Sequence, residues 1–90
     1  MQLSKPSKAG TYESNDIMIM LFPHEGIEIE LESNVYETFG EHIKQLMMSI
    51  LEEHHLNQVR IKAIDKGALD FTIRARLITA IKRGVQHEID

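Results

Sequence analysis

Hydrophobic and polar positions along the chain follow two periods. Ile27 to Glu32 alternates strictly, with Ile27, Ile29 and Leu31 on one side and Glu28, Glu30 and Glu32 on the other. That is the pattern of a half-buried strand. Upstream, Ile17 to Phe22 is a continuous apolar run closed by Pro23, which has no N–H for a β-ladder. Before it stand the strand-formers Thr11 and Tyr12 and the turn cluster Glu13-Ser14-Asn15-Asp16. Asn tolerates positive φ and Ser closes local turns, so Ala9 to Phe22 reads as a hairpin turned at Ser14-Asn15. Glu25-Gly26 returns the chain, and the three strands read as an antiparallel meander.

The period then changes to that of a helix. Val35, Phe39, Ile43, Leu46, Met47, Ile50 and Leu51 recur at three- and four-residue spacing, one broad apolar stripe. Asn34 and Glu37 are spaced for a capping box, which predicts a start at Ser33-Asn34 and a run to His55. Gly40 in its middle allows something to pack closely. Val59-Arg60-Ile61-Lys62-Ala63 alternates again, so the unit strand–helix–strand predicts a parallel crossover. Leu69, Ile73, Leu77, Ala80 and Ile81 mark a second helix, with Lys82 and Arg83 in its last turn and Gly84 as C-cap. The order β-β-β-α-β-α predicts an α+β two-layer sandwich, with two helices on one face of a mixed sheet. Residues 1–8 read as a loose arm, 9–84 as a single domain, and 85–90 as a frayed tail.

Ninety residues build one core. With no cysteine there is no disulfide, thiolate metal site or Cys nucleophile. No apolar run approaches a membrane span and no signal peptide is visible, so a cytoplasmic domain without a membrane partner is expected. The net charge of −4 hides a division. Ala9 to Ile43 carries eight acids and no Lys or Arg, whereas Gln58 to Gly84 carries seven bases against Asp65 and Asp70. If the strands at Glu28–Glu32 and Arg60–Lys62 are neighbours, most of that division is neutralised within the sheet. Arg76 and Arg83 then stay unpaired. The run from Ile17 to Phe22 is apolar on both faces, so either Met18, Met20 and Phe22 or Ile17, Ile19 and Leu21 face away from the helices, a candidate surface for larger subunits.

Candidates for chemistry are few. His54 and His55 point about 100° apart on a helix, so they do not chelate one metal and read as helix-end residues. His24, His42 and His87 lie in different elements. No phosphate-loop, dinucleotide, zinc-protease or nucleophile-elbow motif is present, so no catalytic residue and no metal site are assigned. The basic residues lack an aromatic strand stripe for RNA, and nucleic acid is not the expected partner. Glu-Ser-Asn occurs twice. At Glu32-Ser33-Asn34 it has capping work. At Glu13-Ser14-Asn15-Asp16 there is no helix to cap, which leaves a serine hydroxyl on an exposed turn.

Two stretches carry a resemblance. Ala9-Gly10-Thr11-Tyr12-Glu13-Ser14-Asn15-Asp16-Ile17-Met18-Ile19 resembles the N-terminal motif of the citrate lyase acyl carrier protein (gamma subunit) family. Asp65-Lys66-Gly67-Ala68-Leu69-Asp70, followed by Ile73-Arg74-Ala75-Arg76-Leu77, resembles its C-terminal motif. Their order and spacing, and Phe39-Gly40 between them, extend the likeness over roughly residues 6–84. The family often has Gly at the position of Asn15, and both types accept positive φ. The Asp-Ser-Leu motif of four-helix acyl carriers is absent.

The resemblance implies a carrier subunit with no active site of its own. It implies a covalent 2'-(5''-phosphoribosyl)-3'-dephospho-CoA group, joined by a phosphodiester to Ser14, whose thiol holds acetyl and citryl thioesters while citrate is cleaved to acetate and oxaloacetate. The implied partners are the alpha subunit (acyl transferase), the beta subunit (citryl-thioester lyase) and the transferase that installs the group. Gly10, Glu13, Asn15 and Asp16 surround the attachment position. Glu13 and Asp16 read as orienting the hydroxyl, as contacts for the transferase, or as solubilising flanks of the turn. Asp65, Lys66, Gly67 and Asp70 read as fixed by the strand-to-helix turn. A carrier subunit of malonate decarboxylase is the near alternative. A cofactor-free α+β binding module, regulatory or RNA-binding, is the distant one, and requires Arg60, Lys62, Arg76 and Arg83 to converge on one face.

Overall fold

A computed structural model describes residues 1–85. The expected β-β-β-α-β-α order is realised as β1 (Ser7–Gly10), β2 (Ile17–Pro23), β3 (Ile27–Ser33), α1 (Tyr36–Glu53), β4 (Val59–Asp65) and α2 (Asp70–Gly84). The four strands form one mixed sheet in the order β1-β2-β4-β3. β1 and β2 are antiparallel, β2 and β4 are antiparallel, and β3 runs parallel to β4. The fold class therefore stands, but the first three strands are not a meander, because β4 enters between β2 and β3. Side-chain chemistry accounts for this. β2 is apolar on both faces and suits an interior strand paired on both edges. β3 carries an acid at every second position, which suits an edge beside a basic strand.

That basic strand is β4. Glu28 lies opposite Arg60, and Glu30 opposite Lys62. The Arg60 guanidinium donates to Glu28 at 3.1 Å and Glu30 at 3.0 Å, and sits over the Phe22 ring. The strands are neighbours, as the charge pairing required, and Arg60 joins the acidic and basic faces across β3 and β4. Arg76 and Arg83, by contrast, are not unpaired: Arg76 is bound to Asp16, and Arg83 donates to the Lys8 carbonyl at 2.9 Å.

α1 and α2 cover one face. Ile17, Ile19 and Leu21 of β2 and Val59, Ile61 and Ala63 of β4 are buried there against Ile43, Met47, Ile50 and Leu51 of α1 and Ile73, Leu77, Ala80 and Ile81 of α2. The outward trio of β2 is therefore Met18, Met20 and Phe22. The first residues are more committed than a loose arm. Leu3 joins the core, Ser4 N–H donates to the Gly84 carbonyl at 2.9 Å, and β1 begins at Ser7 rather than Ala9. Gly84 permits this, since a Cβ there would lie 2.6 Å from Leu3 Cδ2. Val85 caps α2 and is buried; the rest of the expected tail, residues 86–90, lies outside the described residues.

The capping box does not form. α1 begins at Tyr36 with Val35 at the cap position and no side-chain cap. Ser33 instead closes β3: its hydroxyl donates to Asp65 Oδ2 at 2.7 Å and accepts from Val35 N–H at 3.1 Å. Phe39 and Leu69, assigned by periodicity to the core stripes, are 50% and 63% exposed. The close partner of Gly40 is Tyr36, whose ring would meet a Cβ at 2.9 Å. At the other end of α1, His54 Nδ1 lies 2.9 Å from the Ile50 carbonyl and His55 takes φ 52°. Both are helix-end roles.

Candidate functional site

The six residues Thr11 to Asp16 connect β1 to β2 and form a pinned loop at one end of the sheet. Gly10 opens it at φ 109°, and a Cβ there would collide with the Ile17 carbonyl oxygen. Only glycine lets the chain leave β1 so close to β2. Ser14 and Asn15 occupy the turn, both exposed, with Asn15 at φ 64°. Asp16 N–H closes the turn on the Glu13 carbonyl at 3.2 Å.

The C-terminal motif holds the loop in place. Asn15 N–H donates to the Lys66 carbonyl at 2.8 Å, and Lys66 N–H donates to the Asp16 carbonyl at 2.9 Å. These reciprocal bonds lash the Ser14 turn to the end of β4. The β4–α2 turn is fixed in its own right. Asp65, fully buried, accepts from Ala68 N–H at 2.9 Å and from the Ser33 hydroxyl, and Gly67 takes φ 90°. The two motifs, about 50 residues apart in sequence, are thus one structural unit.

Asp16 anchors it. Arg76 of α2 makes a two-pronged pair with its carboxylate, Nε to Oδ1 at 3.0 Å and Nη2 to Oδ2 at 2.7 Å. Thr11 Oγ1 donates to Oδ2 at 2.6 Å, and Ile17 N–H donates to Oδ1 at 2.8 Å. The Arg76 hydrogen bonds, aided by those from Thr11 and Ile17 and opposed by desolvation, hold the Asp16 pKa down at about 2. Asp16 is 9% exposed. It is a buried strut for the loop rather than a solvated flank.

Of the sequence-predicted residues, Gly10, Glu13, Ser14, Asn15 and Asp16 come together in this loop. Glu13 is exposed and contributes its backbone. The Ser14 hydroxyl is left out of the hydrogen bonds that fix the turn. Ser33, in the second Glu-Ser-Asn, is half-buried with its hydroxyl engaged by Asp65 and Val35. Sequence reasoning missed Thr11 and Arg76 as members of the site. Arg76 stood inside the C-terminal motif, but no spacing rule pairs it with a carboxylate 60 positions away.

Beside the loop lies a groove of about 320 Å³ between the N-terminal half of α1 and the β4–α2 turn, lined by Val35, Phe39, Ala68 and Leu69 with His42 and Asp70 at its rim. His42 Nε2 is 2.8 Å from Asp70 Oδ2. Among the described residues no group of three or more His, Asp or Glu is arranged to hold a metal ion, and no helix is long and apolar enough to cross a membrane.

The two motifs thus meet in one loop that presents an exposed serine on a pinned turn. The family description that matches residues 4–84 is ACP, the malonate decarboxylase delta subunit (MdcD), so the class is that of the acyl carrier subunits. Citrate lyase acyl carrier protein of Latilactobacillus sakei subsp. sakei is 47% identical over 98% of this chain and 88% of its own length. That of Lactiplantibacillus plantarum is 44% identical over 96% and 91%, and that of Treponema denticola 39% over 92% and 95%. The chain belongs to the citrate lyase acyl carrier protein family. A chain from the crystal structure of a Pseudomonas malonate decarboxylase hetero-tetramer in complex with malonate shares the fold, with a TM-score of 0.66 at 18% identity over 92% of this chain and 91% of that one.

Proposed function

We propose that this chain is the non-catalytic acyl carrier subunit of a cytoplasmic citrate lyase complex, and that Ser14 is the attachment point of a 2'-(5''-phosphoribosyl)-3'-dephospho-CoA group. The observation that carries the reading is the contrast between the two Glu-Ser-Asn serines: Ser14 is exposed on a pinned turn, whereas the Ser33 hydroxyl is committed to Asp65. The residues present fit such a group. A phosphodiester on Ser14 displaces none of the hydrogen bonds that hold the loop, and the Asp16–Arg76 strut keeps the attachment point in a fixed place. When bound, the group supplies the thiol on which acetyl and citryl units are carried between an alpha subunit that transfers acyl groups and a beta subunit that releases oxaloacetate. The chain contributes position. It presents a tethered thioester to both partners at high effective concentration.

Intact-mass measurement of the protein co-expressed with the prosthetic-group enzymes tests the reading. A coenzyme-A-sized adduct is expected on the wild type, absent in Ser14→Ala and retained in Ser33→Ala. No adduct, or an adduct that persists in Ser14→Ala, overturns it. A malonate decarboxylase carrier is the second reading, favoured by the description of the matching family; co-purification with citrate lyase rather than decarboxylase subunits separates the two.

A further inference from the structure

Phe39 and Leu69 are large apolar side chains at positions that helical periodicity gives to the core, yet both are at least half exposed, and both line the groove beside the Ser14 loop. The groove adjoins the loop at Gly67. Its wall includes Gly67, where a Cβ would lie 3.8 Å from Asn15 Oδ1, and Asn15 directly follows Ser14. Its chemistry is uneven. Val35, Phe39, Ala68 and Leu69 give apolar walls, and the His42–Asp70 pair puts a ring nitrogen and a carboxylate at the rim. A flat aromatic ring with polar edges suits such a slot: its faces meet apolar side chains while an exocyclic amine donates to a carboxylate. A flexible amide chain would leave its N–H and C=O groups without partners against those walls.

We propose that this groove seats the purine base of the nucleotide carried on Ser14. The inference rests on the reading of Ser14 as the attachment site and deepens it. Within the arm the adenine is linked through two sugars to the attaching phosphate, so it lies near the protein end, while the thiol lies at the far end. Docking the base on Phe39 and Leu69, with its amine toward Asp70, fixes the root of the arm and leaves the thiol-bearing part free to reach two partner sites.

The test uses the modified protein, with the Ser14 adduct verified by intact mass, and compares its NMR spectra with those of the unmodified form. Cross-relaxation is expected from the adenine H2 and H8 protons to the Phe39 ring and Leu69 methyls, with both adenine protons shifted upfield of their free-nucleotide positions. Phe39→Ala is expected to abolish the upfield shift. Met48→Ala, an exposed α1 position outside the groove, is expected to retain it. A mass-verified adduct whose adenine protons stay at free-nucleotide positions overturns the groove assignment alone. A protein that takes no adduct on Ser14 overturns the functional reading and this inference with it.

Discussion

Asp16 stands two residues from Ser14, and its surroundings show how a loop on the outside of a protein is made rigid. Four hydrogen bonds from Arg76, Thr11 and Ile17 saturate its carboxylate. Its pKa lies at about 2, below the ordinary carboxylate value. A carboxylate depressed by folding stabilises the native state above its unfolded pKa of about 4, and that contribution is lost as the pH falls toward the folded value. The full shift corresponds to about 2.5 kcal/mol, reduced by the solvent around Arg76 to about 1–2 kcal/mol. Denaturant melts at pH 7 and pH 2.5 should therefore show Asp16→Asn less stable than wild type at neutral pH and losing about 1–2 kcal/mol less on acidification. Equal pH dependence of the two proteins would contradict the role assigned to Arg76.

At the scale of elements, the end of α1 carries a correctable cost. His55 holds φ 52°, a left-handed position that suits glycine, while Leu56 N–H reaches back to the Leu51 carbonyl and His55 N–H to that of Glu52. This is the Schellman arrangement, in which glycine normally supplies the left-handed residue. His55→Gly should raise stability by about 1 kcal/mol in chemical denaturation, since the left-handed strain costs about that much for a side-chain-bearing residue. A decrease would mean that the His55 side chain contributes more than its backbone costs. The start of α1 shows the opposite case. Asn34 and Glu37 have the spacing of a capping box, but Ser33 and Asn34 are drawn toward β4, where Ser33 meets the Asp65 carboxylate and Asn34 N–H the Asp65 carbonyl at 3.4 Å. A tertiary partner outcompetes a local one.

For the whole molecule, the sheet order decides what the charges do. Arg60 is spent on Glu28 and Glu30, Arg74 on Glu53, Arg76 on Asp16, and Arg83 turns to the backbone of β1. The bases that a polyanion would need are divided between two sides of the sheet, Arg60 and Lys62 on the outward face of β4 and Arg76 and Arg83 on α2, and Arg60 and Arg76 are already paired with carboxylates. Heparin chromatography at low salt should therefore pass the protein in the flow-through; retention released in proportion to added salt would instead support the nucleic-acid module. The exposed pairs on β3 and β4 contribute little to stability, within about 1 kcal/mol each.

Local pattern determined the element order, the two helices on one face, the acidic face of β3, the basic face of β4 and the serine on a turn, because alternation, helical spacing and turn chemistry are encoded within a few residues. The resemblance of two short motifs added the family. Sequence spacing did not reveal that β4 would enter between β2 and β3, that Leu3 would close against Gly84, or that Asp16 would meet Arg76. Each of these joins residues far apart in the chain, and the energy that selects them comes from burying one shared face and from hydrogen bonds that exist only once it is buried. The loop follows the same division. That Ser14 stands on an exposed turn was legible because a turn needs only its own residues; the clamp that fixes the turn and the groove beside it were decided by the tertiary structure, which brings the two motifs into one place.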